Sequence, residues 1–147
     1  MDKENNLTLQ AIKKDFFLFR NGIIAESLRK LYKDGVIIFG LNVPQFMDLA
    51  KKYPKEKDLA MQLWNDSKCR ESRLFALYLL PHEQLNYEEA QDMINQVEST
   101  EQAEFLAFRV LRRLSFAKNL LEDLKTNSLE PIPGYCIQML EKNLSQV

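Results

Sequence analysis

An all-α fold built from stacked antiparallel helix pairs is what this sequence predicts, and three observations predict it. Only four glycines and five prolines punctuate the 147 residues, and between them apolar residues recur at the three-and-four spacing of a helix face. The stretch from Leu59 to Ala76 sets two such stripes either side of a short polar break, as two stacked helices of a repeat would. The segments Arg73 to Leu80, Phe105 to Leu111 and Tyr135 to Leu140 then return at intervals of about 30 residues, near the short end of helical-repeat periods.

Taken in order, the first helix spans Thr8 to Phe19, with Leu9, Ile12, Phe16 and Phe19 on one face, and Asn21-Gly22 breaks it in the manner of a C-cap. A second helix aligns Ile24, Leu28, Leu31 and Tyr32. Val36 to Phe39, β-branched and too short for a helix, reads as a buried extended connection, with a strand as the alternative. Asn42 followed by Pro44 suits a helix start, whose stripe is Val43, Phe46, Met47 and Ala50, and Tyr53-Pro54 ends that helix. The central pair carries Leu59, Ala60, Leu63 and Trp64, then Leu74, Leu77 and Tyr78, and Pro81 stops it.

Asn86 with Glu89, and Ser99 with Gln102, have the spacing of capping boxes. They open helices with Ala90, Met93, Ile94 and Val97, then Ala103, Leu106, Ala107, Val110 and Leu111. Ser115 is expected to cap Ala117 to Leu124, and a last helix begins near Pro131 and turns Cys136, Met139 and Leu140 inward. The helix after Ser99 also presents Phe105 and Phe108 on a second face, which predicts a helix sandwiched between neighbours. Residues 1–147 are therefore expected to form a single HEAT- or armadillo-like α-α superhelix, with an irregular helical bundle as the alternative.

Composition narrows the function classes. The formal net charge is −1, so no strongly basic footprint shows in the total. The halves differ: residues 1–73 hold 14 Lys and Arg against 10 Asp and Glu, whereas residues 74–147 hold 6 against 11. The two cysteines, Cys69 and Cys136, lack Cys-x-x-Cys spacing and have only His82 as an imidazole partner, which argues against a metal site. No secretory signal opens the chain and no apolar run approaches the ~18 residues of a membrane span, so reduced thiols, a cytoplasmic location and no membrane association are expected. There is no glycine-rich phosphate loop and no dinucleotide fingerprint, and no cofactor is expected.

Leu63-Trp64, followed by Glu71-Ser72-Arg73-Leu74-Phe75-Ala76, resembles a motif of the bacterial DNA alkylation-repair glycosylases, the AlkD-like family of helical-repeat proteins. There a Leu-Trp helix end precedes Glu-x-Arg-x-x-Ala. Phe39-Gly40-Leu41-Asn42-Val43-Pro44-Gln45 and Arg113 to Leu121, with its Phe116-Ala117, extend the resemblance over most of the chain from Arg20 to Leu140. None of these motifs is catalytic; they are packing and turn elements. The resemblance implies a concave surface that meets DNA. In active relatives an alkylated base is excised with a carboxylate and aromatic side chains against the damaged nucleotide. A cationic alkylpurine is already a good leaving group, so stabilising the positive sugar that develops would suffice. Relatives usually continue through further repeats, so a shorter stack is expected here.

The family's signature places a Trp one turn ahead of the catalytic Asp. Aligned through Ser99 to Phe105, this puts Thr100 at the Trp position and Glu104 at the Asp position. Thr cannot replace an indole, and the extra methylene of Glu displaces the carboxylate. Lys68, Arg70, Arg73, Arg112 and Arg113 are candidates to line a groove and hold phosphates; the alternative is that Arg73 pairs with Glu71 or a neighbouring helix's carboxylate. Glu98, Glu101 and Glu104 recur every three residues and read as a solvated helix start. Trp64 reads as a core plate rather than a base-stacking platform, and Phe16-Phe17-x-Phe19 as packing, part of it exposed if it ends a stack. His82 is assigned no catalytic role.

Three functions follow as expectations. The first is a non-catalytic AlkD-like scaffold for nucleic acid or protein. The second is a glycosylase excising 3-methyl or 7-methyl purines through Glu104, with Thr100 and the cations as DNA contacts. The third is an adaptor whose groove takes a peptide or helix.

Overall fold

A computed structural model describes residues 2–146. It is all-α: among the described residues the chain forms helices joined by short loops and 3-10 turns, with no strand, only an isolated parallel bridge between Ile37 and Cys69. The chain divides into two compact units, Met1–Leu80 and Pro81–Val147.

The first unit contains α1 (Asp2–Leu18), α2 (Gly22–Leu28), α3 (Val43–Ala50), α4 (Lys57–Trp64) and α5 (Arg70–Leu79). Every residue of α5 is buried, so this helix is the axis of the unit, with α4 and α3 packed along it. An aromatic cluster fills the space: Phe16 and Tyr53 meet the Phe75 ring edge-on, at 5.7 Å and 6.2 Å, while Phe46 stacks on Tyr78 at 5.4 Å. Such edge-on and offset contacts suit the ring quadrupoles and add to the apolar area removed from water. Trp64 is fully buried, as a core plate.

The second unit contains α6 (Tyr87–Gln96), α7 (Thr100–Arg109), α8 (Ala117–Leu124) and α9 (Pro131–Ser145). Its centre is the α7–α9 pair, against which α6 and α8 pack through α9. Ala103 and Ala107, four residues apart and both fully buried, give α7 a low ridge. This lets α9 approach until the Cys136 thiol donates to the Ala103 carbonyl at 3.6 Å.

Helix starts follow the capping chemistry. Asn42 with Gln45 and Asn86 with Glu89 form complete capping boxes. Ser99 accepts from the Gln102 amide at 3.0 Å, but the Gln102 side chain returns to the Glu98 amide instead of that of Ser99. Several expectations are corrected. Asn21 is not the end of α1 but the N-cap of α2, its side chain accepting from Ile23 and Ile24, and α1 itself begins at Asp2. Ser115 is not a cap, because α8 starts after Phe116 with no side-chain cap. α2 buries none of its residues, so Ile24 and Leu28 are only half covered. Phe19 is exposed. The Val36 to Phe39 connection is extended but only Ile38 is buried in it, with Ile37 half exposed. Phe108 also stands exposed, so its face of α7 is not covered by a neighbouring helix.

Candidate functional site

The Glu71 carboxylate is the most densely engaged polar group. It is fully buried and accepts from three successive backbone amides, Phe39 and Gly40 at 2.9 Å and Leu41 at 3.3 Å, and from the Arg70 guanidinium at 2.5 Å. Arg70 also donates to the Leu41 carbonyl at 3.0 Å. A buried ion is tolerable only with such saturation, since removing one partner strands the other charge out of water. The loop reaches Glu71 because Gly40 adopts a φ of +93° and passes so close to α2 that a Cβ there would lie 2.3 Å from the Asn21 carbonyl oxygen. The Asn21 amide in turn donates to the Phe39 carbonyl at 2.7 Å.

Arg73 is 5% exposed and lays its guanidinium over the Trp64 ring at 4.4 Å. Leu63-Trp64 and Glu71-Ser72-Arg73 are thus one fastening: Glu71 ties down the Phe39 to Leu41 loop, and Arg73 spans from α5 to the indole of α4. Arg70 and Arg73, considered from sequence as phosphate holders, spend their guanidinium groups inside the first unit, where Arg70 is 4% exposed. Arg70 pairs with Glu71, and Arg73 stacks on Trp64. Lys68 is exposed in the loop before α5, and its carbonyl accepts from the Ile37 amide at 2.7 Å.

In the second unit Thr100 and Glu104 lie one turn apart on an exposed face of α7. The same four-residue spacing carries that ridge on to Phe108, and Arg112, in the 3-10 turn after α7, folds back onto it. The Arg112 guanidinium covers the Phe108 ring at 4.1 Å and its Nε donates to the Phe108 carbonyl. Tyr135, at the start of α9, donates its hydroxyl to Glu104 Oε1 at 2.5 Å. That hydrogen bond to the charged carboxylate raises the Tyr135 pKa above its usual 10.0. Arg113 is exposed in the 3-10 turn Leu111–Arg113 that follows. The structure therefore brings Thr100, Glu104 and Arg112 onto one ridge.

Tyr135 and Phe108 complete this surface. The Tyr135 contact joins residues 31 apart in sequence, which no local spacing announces. Phe108 is legible in the sequence as an aromatic on a second face of α7, where helical spacing predicts packing and the structure leaves it 49% exposed. Glu98, Glu101 and Glu104 do not act as a triplet: only Glu104 is fully on the exposed surface, and Glu98 and Glu101 are half-buried.

Among the described residues no group of three or more His, Cys, Asp or Glu is placed to hold a metal ion, and no helix is long and apolar enough to cross a membrane. Both cysteines are buried free thiols, and burial pushes Cys136 up to about 12 and raises Cys69 as well.

Helix-pair packing, a loop clamped by Glu71, and an outward carboxylate on α7 define an all-α protein whose fold-fastening residues are separate from its exposed polar ridge. A family profile described as DNA alkylation repair enzyme matches residues 12–128. The chain belongs to that family. No curated protein and no solved structure matches it.

Proposed function

We propose that this protein, with residues 1–147 acting as one domain, is a DNA-repair-related scaffold that binds the DNA backbone without excising bases. The observation that carries this reading is how its side chains are used. The residues through which the family resemblance is strongest, Trp64, Glu71 and Arg73, are consumed in holding the fold. At the exposed face of α7 a threonine stands where active relatives supply an indole, and the Glu104 carboxylate is tied to Tyr135. Of the candidate cations, Lys68 and Arg113 are exposed and suited to phosphate contact, while Arg112 is half-buried against Phe108.

The experiment is fluorescence anisotropy of a labelled duplex over a range of salt. The expected result is an affinity that falls linearly on a log–log plot, with a slope of roughly 0.9 per phosphate contacted. Replacing Lys68 and Arg113 by Ala should flatten that slope. An absence of binding at low salt sinks the nucleic-acid reading and leaves a protein partner.

A second reading, excision of 3-methyl or 7-methyl purines, is favoured by one feature. The Tyr135 hydroxyl occupies a single carboxylate oxygen of Glu104, and the fixed, charged carboxylate is suited to face a developing sugar cation. In this reading Glu104 is the catalytic group and Tyr135 orients it.

A further inference from the structure

We propose that the outward face of α1 is a docking surface for an acidic amphipathic helix of a partner protein. α1 turns Ile12, Asp15 and Phe16 into the first unit, all of them buried. Its opposite side leaves Leu7 66%, Phe17 53% and Leu18 70% exposed. Gln10, Lys13, Lys14, Phe17 and Leu18 line a shallow concavity of about 540 Å³ along that side. Positions 7, 10, 14 and 17 repeat at alternating spacings of three and four, the seam along which one helix receives another. Isolated exposed apolar residues need no explanation, but Phe17 and Leu18 stand side by side in this concavity, with Leu7 at the other end of the seam.

The chemistry of the seam selects the occupant. From Leu7 to Arg20 the only carboxylate is Asp15, which is buried and accepts from Lys52 and Tyr53. The face is cationic: Lys14 stands in the seam and Lys13 and Arg20 at its edges, the last with its guanidinium 3.9 Å over the Phe17 ring and donating to the Phe17 carbonyl at 2.8 Å. Lys13 already lies 2.8 Å from Asp66, so Lys14 and Arg20 carry most of the available charge. A second copy meeting this face about a two-fold axis would bring lysine against lysine. A duplex offers phosphates to the lysines but nothing apolar to bury Leu18 and Phe17. A bilayer would take Phe17 and Leu18 but would have to accept Gln10 and Lys14 within the same seam. An amphipathic helix with leucines in its seam and glutamates on its flanks satisfies both sets at once.

The test uses the full chain and a labelled helical peptide with Leu at the seam positions and Glu on the flanks. A second peptide has every Glu replaced by Lys. The expected result is saturable binding of the acidic peptide, at least about tenfold tighter than that of the basic one and weakened by salt. Phe17→Ser with Leu18→Ser, and separately Lys14→Glu, should each weaken it by about tenfold or more. All three positions are exposed, and circular dichroism melting confirms that the variants fold. No binding of the acidic peptide, equal binding of both peptides, or indifference to the substitutions overturns the proposal. So does a dimer in sedimentation equilibrium, or binding to phosphatidylserine vesicles or to duplex DNA, that the Phe17 and Leu18 substitutions abolish while leaving peptide binding unchanged.

Discussion

The two units of this protein use their charged residues in opposite ways. Up to Leu80 the chain is cationic, yet Arg70, Glu71 and Arg73 are sunk in the core, where they hold a loop and an indole. From Pro81 onward it is anionic, and Glu104 stands on the surface of α7 with Arg112 in the turn that follows, where Tyr135 and Phe108 respectively hold them in place. In the first unit the residues of the family motif are buried and hold the fold; in the second, Thr100 and Glu104 stand exposed on α7 and are free of that duty.

The comparison breaks first at Glu71. Glu71→Ala leaves the Arg70 guanidinium and three loop amides without their acceptor, and should lower unfolding free energy in urea by about 3–5 kcal/mol; a loss below about 1 kcal/mol would show that the buried clamp is not what holds the loop. Gly40→Ala is the next largest. It puts a side chain at a φ of +93° and within 2.3 Å of the Asn21 carbonyl oxygen, so a loss of at least about 2 kcal/mol is expected in the same titration.

A reactivity measurement sharpens the contrast between core and surface. Neither thiol should be alkylated by iodoacetamide near neutral pH in the folded protein, because the thiolate is scarce for a Cys136 pushed up to about 12 and the group is buried. Both should react promptly in urea. Rapid alkylation of Cys136 in the native protein would show that the α7–α9 contact opens. The smallest effect belongs to the exposed ridge, where Tyr135→Phe and Glu104→Gln should each change stability by less than about 0.5 kcal/mol. The Tyr135 pKa is raised in the folded state, so the phenol–carboxylate contact persists below pH 10.0 and is lost as pH rises through the higher folded value. Ultraviolet difference titration should accordingly show one tyrosine moving to lower pH in the Glu104→Gln variant. An unchanged titration curve would mean that the hydrogen bond does not form in solution.

Most of the fold was legible from sequence because helix faces and caps are local. The spacing of Leu59, Ala60, Leu63 and Trp64 and the Asn-x-x-Gln and Asn-x-x-Glu boxes at Asn42 and Asn86 each depend on residues within one or two turns. Ser115 and Asn21 misled for a related reason: a capping residue type fits either side of a boundary, and the chain's path decides which helix it serves. The site was harder to read. Glu71 meets Gly40 across 31 residues, and Tyr135 meets Glu104 across the same separation. Arginine composition alone cannot tell a phosphate contact from a guanidinium stacked on a buried indole, as Arg73 is on Trp64. That distinction is made by burial, which belongs to the folded chain.

The most direct measurement is release of base from DNA carrying 7-methylguanine and 3-methyladenine, quantified by mass spectrometry for the folded protein beside its Glu104→Gln variant. A scaffold releases no more base than a control without protein, in either form. Release that disappears in the Glu104→Gln variant would contradict the account and make the α7 ridge a catalytic site.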